Sequence, residues 1–190
     1  MLKPALVTAP AENPVTLVEA KGFMVVEFTD DDALITSLIA AATSHFDGYS
    51  GILGRALINQ TWRQDFSCFQ SRLRLPLSPF QSISSIQYYD DDNALQTLSP
   101  ALYDAYEDHL GPYVELVSGA SWPSTYDRAN AVQVTYLVGY GAANAVPESI
   151  KTVIKMIVAE LYENRAITIA SLMETPIYQS LLSACRLVKV

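Results

Sequence analysis

The sequence predicts an α+β protein, a helical core of about three or four helices into which a small antiparallel β region is inserted. Two periodicities carry that expectation. Towards both ends of the chain apolar residues recur at helical spacing: Ile150, Val153, Ile154, Ile157, Val158, Leu161 and Tyr162 follow the i, i+3, i+4, i+7 rule over about four turns. In the middle the period drops to two. Ile58, Gln60, Trp62, Gln64 and Phe66 alternate with polar or charged neighbours, and Val132, Val134, Tyr136 and Val138 alternate with Gln133 and Thr135, as half-buried strands do.

Taken in order, residues 1–13 read as a flexible extended arm, because the prolines at 4, 10 and 14 disfavour regular helix and the segment has no period. A short helix is expected over residues 15–24. Thr29-Asp30-Asp31-Asp32 resembles a helix start, since a Thr hydroxyl can cap a free N–H and carboxylates suit the positive end of the helix dipole. Leu34, Ile35, Leu38, Ile39, Ala42 and Phe46 then mark an amphipathic helix to about residue 47. Strands are expected over residues 58–66, 72–75, 83–89, 95–98, 113–117 and 132–138, with a turn at Asp90-Asp91-Asp92-Asn93. Gly139-Tyr140-Gly141 ends the last strand, and Pro147 and Glu148 suit the first turn of the next helix. A final helix starts near residue 176. The expected organisation is an arm at 1–13, a helical core from 14–57 and 139–185, a β insertion at 58–138 and a tail at 186–190.

Composition narrows the function. At 190 residues the chain can bury roughly 70% of its unfolded surface in one domain, or in one domain with an insertion, without metal or disulfide. Half of the residues are hydrophobic and 17% are charged, which leaves apolar surface for a partner. A net charge of -8 argues against gripping nucleic acid, because phosphate affinity comes from Lys and Arg displacing counterions. Cys68 and Cys185 lie far apart with no CxxC partner or nearby His, so neither zinc nor redox chemistry is suggested. No stretch approaches the roughly 20 apolar residues of a membrane helix, and the N-terminus lacks the apolar run of a signal peptide. The expectation is a soluble protein, made in the cytoplasm.

A search for chemistry returns little. The runs Asp30 to Asp32 and Asp90 to Asp92 lack the alternate ligand spacing, Gly and distal Glu of a calcium loop, and fit a helix start and a hairpin tip. His45 and His109 have no HxxxH or HxH spacing. No GxSxG elbow is present, and Gly139-Tyr140-Gly141 lacks the further glycines and Lys of a phosphate loop. Trp62, Tyr88, Tyr89, Tyr113 and Tyr136 could stack on bases, but such platforms come with a basic groove. No enzyme activity, cofactor or metal is expected. A small-ligand or regulatory binding domain of mixed α and β fold stays open as an alternative.

Several short motifs in order resemble the head–tail connector (adaptor) family of tailed bacteriophages. They are Val18-Glu19-Ala20-Lys21, Asp31-Asp32-Ala33-Leu34-Ile35 and Gly54-Arg55-Ala56-Leu57-Ile58-Asn59-Gln60-Thr61-Trp62. They continue with Leu75-Pro76-Leu77-Ser78-Pro79-Phe80-Gln81-Ser82-Ile83, Trp122-Pro123, Gly139-Tyr140-Gly141, Val146-Pro147-Glu148-Ser149-Ile150-Lys151 and Tyr162-Glu163-Asn164-Arg165. The resemblance implies a structural subunit that assembles as a ring, a dodecamer in that family, between the portal protein and the stopper or tail-completion protein. It would leave a channel through which DNA passes without sequence-specific binding. The particle would be a phage or a phage-derived gene-transfer particle, and the protein would sit at its head–tail junction.

Under that resemblance the portal-binding element is placed at the C-terminus, over residues 176–190. Ile177, Tyr178, Leu181, Leu182, Leu187 and Val188 are more apolar than a free chain end needs, and Arg186 and Lys189 add positive charge to an acidic protein. The alternative is that the last helix packs on the preceding one and the tail frays.

Overall fold

The computed structural model describes residues 2–164 and 180–181. It divides into two compact units: a β unit of residues 2–9 and 59–139, and a helical unit built from Pro10–Ile58 and the described residues that follow residue 139.

The helical unit contains α1 (Leu17–Met24), α2 (Asp32–Phe46) and α3 (Glu148–Glu163). Ile35, Ile39, Ala42 and Phe46 fall on one face of α2, and Ile150, Val153, Ile154, Ile157 and Val158 on one face of α3; all nine are buried in a single apolar cluster with Ala20 of α1. Each such Ile, Val or Phe contributes about 1.5–3 kcal/mol by leaving water. The α1 boundary differs from the expectation by two residues, because Thr16 is the N-cap: its hydroxyl accepts from the Glu19 amide at 3.2 Å while the Glu19 carboxylate accepts from the Thr16 amide at 2.7 Å. That reciprocal pair is a capping box. The acidic start foreseen for α2 behaves differently. Asp31 is its N-cap without a side-chain capping bond, and its carboxylate instead accepts from the Tyr162 hydroxyl of α3 at 2.6 Å, while Asp32 takes Lys21 of α1 at 2.6 Å. A carboxylate bonded across to another helix cannot turn back to cap its own. Pro147, expected inside the first turn of α3, is the N-cap with extended ψ.

The β unit holds two antiparallel sheets where one was expected. The larger has the order β1 (Ala5–Thr8), β2 (Gln60–Phe66), β8 (Val132–Val138), β4 (Phe80–Tyr89) and β5 (Leu95–Thr97); the smaller has the order β3 (Arg72–Arg74), β7 (Gly111–Leu116) and β6 (Tyr103–Asp108). β8 is central, in full register with β2 from Phe66 opposite Val132 to Gln60 opposite Val138, so both its edges are paired. The N-terminal segment, expected as a free arm, is extended but belongs to this sheet: Ala5 and Leu6 pair with Arg63 and Trp62, and the Leu2 amide donates to the Asp65 carbonyl at 3.0 Å. Proline excludes helix but permits an edge strand, whose outer amides need no partner. The turn at Asp90 is as expected: its carboxylate accepts from the amides of Asp92 and Ala94, and Asn93 takes the left-handed conformation at φ 59°.

Tyr136 sits in the middle of β8, fully buried, and among the described residues its hydroxyl has no hydrogen-bond partner. Burial alone pushes its pKa well above the usual tyrosine value. A buried hydroxyl without a partner costs about 1–3 kcal/mol of desolvation that packing must offset. Tyr136→Phe keeps the ring and removes that cost. It is expected to raise the unfolding free energy by about 1 kcal/mol, measured by urea denaturation; a loss of stability would show that the hydroxyl is satisfied in solution.

Candidate interaction surface

Among the described residues, no three His, Cys, Asp or Glu side chains come together in a way that could hold a metal ion. The sequence candidates are scattered. Asp31 and Asp32 are engaged as above, His45 packs edge-on against Phe46 with ring centroids 5.4 Å apart, and His109 is exposed at the hairpin between β6 and β7. The strand aromatics are occupied too. Arg128 lies 3.7 Å over the Tyr89 ring, Arg72 and Arg74 lie over Tyr113, and Phe69 stacks on Trp122 at 4.5 Å and meets Tyr88 edge-on. Rings covered by the protein's own cations are not open to bases.

What the described surface does offer is apolar. In the helical unit Val18 is 80% exposed and Val25 84%, with Phe23, Phe28 and Leu34 also exposed. Val18 and Gly22 lie one turn apart on α1, and Val25 follows as its C-cap. Beside them runs a groove lined by Leu17, Val18, Lys21, Gly22, Val26 and Asp32. Its far wall exists because Val25 adopts the left-handed conformation (φ 58°, ψ 41°), which turns the chain back so that the Val25 and Val26 amides both donate to the Lys21 carbonyl. A β-branched residue there is strained, and glycine is the usual occupant.

The electrostatics of the groove are simple. Its two charged lining residues neutralise each other, Lys21 reaching Asp32 at 2.6 Å and the Phe28 carbonyl at 2.7 Å. The chain leading from the groove wall into α2 carries Glu27 and Asp30, both exposed and in no ion pair among the described residues. On the other side of α1, Lys151 of α3 is almost wholly buried and reaches Glu19 at 2.7 Å and Glu148 at 3.3 Å. Burial opposes ionisation of Glu19, but the Lys151 ammonium and the Thr16 bonds outweigh it and hold the carboxyl at about 2.

Of the C-terminal candidates, Leu181 is described: it is helical, half-buried and packed against the helical core. Ile177, Tyr178, Leu182, Arg186, Leu187, Val188 and Lys189 lie outside the described residues. The α1 groove was missed by sequence reading, because Val18 and Val25 look like ordinary core positions of an amphipathic helix. The one available signal was Gly22 in mid-helix, where alanine would be the better helix former.

No family model and no curated protein matches the sequence. Solved structures do match, at the level of fold. A chain of the virion of a native gene transfer agent (GTA) particle superposes with a TM-score of 0.80 at 21% identity, covering 100% of this chain and 97% of that one. A chain from the neck of an empty GTA particle, computed with C6 symmetry, matches with the same values. A third, from the neck of a native GTA particle computed with C12 symmetry, gives a TM-score of 0.70 at 20% identity over the same coverage. From end to end, the fold of this chain is the fold of chains found in gene transfer agent particles and their necks.

Proposed function

We propose that the protein is a structural neck subunit of a phage-like or gene-transfer particle, an adaptor that forms a homo-oligomeric ring between the portal and the stopper or tail-completion protein. The observation that carries this reading is the fold match over all of this chain, insertion included, and 97% of chains of GTA particle necks. A ring of many copies also suits a chain whose helical unit exposes Val18, Phe23, Val25, Phe28 and Leu34. The net charge of -8 suits a channel wall along which DNA slides without being held. The small-ligand alternative finds less support, since the only charged groups lining the α1 groove are spent on each other.

Within this reading the C-terminal segment docks on the portal. Deleting residues 186–190 is expected to leave the melting temperature of the purified protein unchanged, to abolish co-purification with the portal, and to leave DNA-filled heads without tails in electron micrographs. Tailed, infective or transducing particles at normal yield would place the portal contact elsewhere. Absence of the wild-type protein from purified particles would reject the neck assignment itself.

A further inference from the structure

The two sheets of the β unit end in four edge strands, and the sequences of these strands divide two and two. A strand with an unpaired edge is a template for another chain, and proteins that stay single guard such an edge with charge or proline. On the smaller sheet both edges are guarded: β3 reads Arg72-Leu73-Arg74, and β6 holds Asp104, Glu107 and Asp108. On the larger sheet neither is. β1 is Ala5-Leu6-Val7-Thr8 and β5 is Leu95-Gln96-Thr97, without a charge or a proline, and every residue of both is exposed, Leu6 by 47%, Val7 by 55% and Leu95 by 48%. Among the described residues β1 pairs only with β2 and β5 only with β4.

The two unguarded edges lie at opposite ends of one sheet, and its topology fixes how they can meet. Each of the four neighbouring strand pairs is antiparallel, so after four reversals β5 runs in the same direction as β1. A contact of β1 with β1 between two copies would be twofold and antiparallel; it would close at a dimer and leave β5 bare. A contact of β5 with β1 of the next copy is head-to-tail and parallel, and in a closed ring it covers both edges of every copy. Charge agrees with that direction. With Ala5-Leu6-Val7 laid parallel beside Leu95-Gln96-Thr97, Lys3 falls beside Asn93, next to Asp92 in the acidic turn. Lys3 and Asp92 are both exposed and in no ion pair among the described residues, so each is open to the other across such a contact. We infer that neighbouring copies of this chain join by adding the β5 edge of one to the β1 edge of the next, a parallel pairing that continues the larger sheet from copy to copy. The closed ring rests on the neck reading; the edge pairing is a property of the sheet. Three or four residues make a weak contact, so copies stay apart until they are held side by side.

Cross-linking tests the contact and its direction. In the full-length protein both native cysteines are replaced by serine, and Leu6→Cys and Gln96→Cys are introduced singly and together. Purified particles, and separately the concentrated protein in solution, are treated with a short bismaleimide. Within one copy the two positions lie four strand spacings apart, about 19 Å, beyond the reach of such a linker. The double variant in particles is expected to give a ladder of species above the dimer in denaturing gels, and each single variant to give monomers. Val7→Lys, which guards the edge and touches no buried side chain position, should melt within about 2 °C of wild type and reduce the ladder about tenfold. Monomers from the double variant in particles, dimers from Leu6→Cys alone, or an undiminished ladder with Val7→Lys would each overturn the inference, while the presence of the protein in particles would leave the neck reading standing. If the protein is absent from particles the neck reading falls, and the sample in solution decides the contact: a ladder keeps it and monomers remove it.

Discussion

Gly51→Ala is expected to destabilise the helical unit by about 3 kcal/mol or more, lowering the melting temperature by about 10 °C. A Cβ at this position would overlap the carbonyl group of Phe46 and come within 2.5 Å of the Asp47 carbonyl oxygen. These are backbone atoms at the end of α2, and they cannot swing aside as the tip of a side chain could. The segment after α2 is held against that helix end by several bonds: the Ile52 amide donates to the His45 carbonyl at 3.1 Å, the Gly48 amide to the Arg55 carbonyl at 2.8 Å, and the Leu57 amide to the Asp47 carboxylate at 2.7 Å. It delivers Leu53, Leu57 and Ile58 to the core, so displacing it uncovers three buried side chains. Gly22→Ala, in the same unit but with open space around the new methyl, should change stability in the opposite direction. Thermal denaturation followed by circular dichroism compares the pair, and a Gly51→Ala protein melting within about 2 °C of wild type would show that the loop relaxes freely.

That contrast also marks what a sequence can carry. Spacing alone located α3, because seven apolar residues repeat through four turns with no competing period, and it located β2 and β8, which alternate over most of their length. β6 escaped because its six residues, Tyr103 to Asp108, carry two aspartates and a glutamate and are mostly exposed, so no burial imposes a pattern on them. Two sheets read as one for a related reason: period two says that a strand has an inner face, not which strand lies beside it. Gly51 and Gly22 are indistinguishable in the sequence, and only the positions of Phe46 and Asp47 make one indispensable.

The acidic runs divide in the same way. Asp90 to Asn93 was legible as a turn because its bonds are local, closing within four residues. Asp31 and Asp32 do open α2 as read, but their side-chain partners, Tyr162 and Lys21, are 131 and 11 residues away, and no local rule reaches that far. The capping box at Thr16 was within reach, since Thr-x-x-Glu is a local signature, and it accounts for one role of Glu19. Its second role, as counter-ion to Lys151, depends on α3 lying against α1 and could not be seen.

Lys151→Ala is therefore expected to be the most damaging change of a single charged side chain in the helical unit, at about 3 kcal/mol. The ammonium is 6% exposed and reaches Glu19 at 2.7 Å, so truncation removes the packed stem and a charge-assisted bond and leaves a partly buried carboxylate without its cation. Lys151→Met keeps the stem and should recover about half of the loss. Acid titration identifies the cause. Glu19 is held at about 2 in the folded protein against 4.5 when unfolded, so as pH falls the unfolded state takes the proton first. The stabilisation from Glu19 is thus complete above about pH 4.5 and is lost as pH drops towards 2. Glu19 is about one-third exposed, so solvent screens the pair and limits this contribution to about 1 kcal/mol. Without the lysine, the pKa of Glu19 rises towards or past its ordinary value, and that part of the acid sensitivity disappears. The gap in unfolding free energy between wild type and Lys151→Met, measured by urea denaturation, should be widest near neutral pH and narrow on approach to pH 2. A gap that stays constant across that range would show that it does not follow ionisation of Glu19 and would remove the ion pair from the account of how α1 is held to α3.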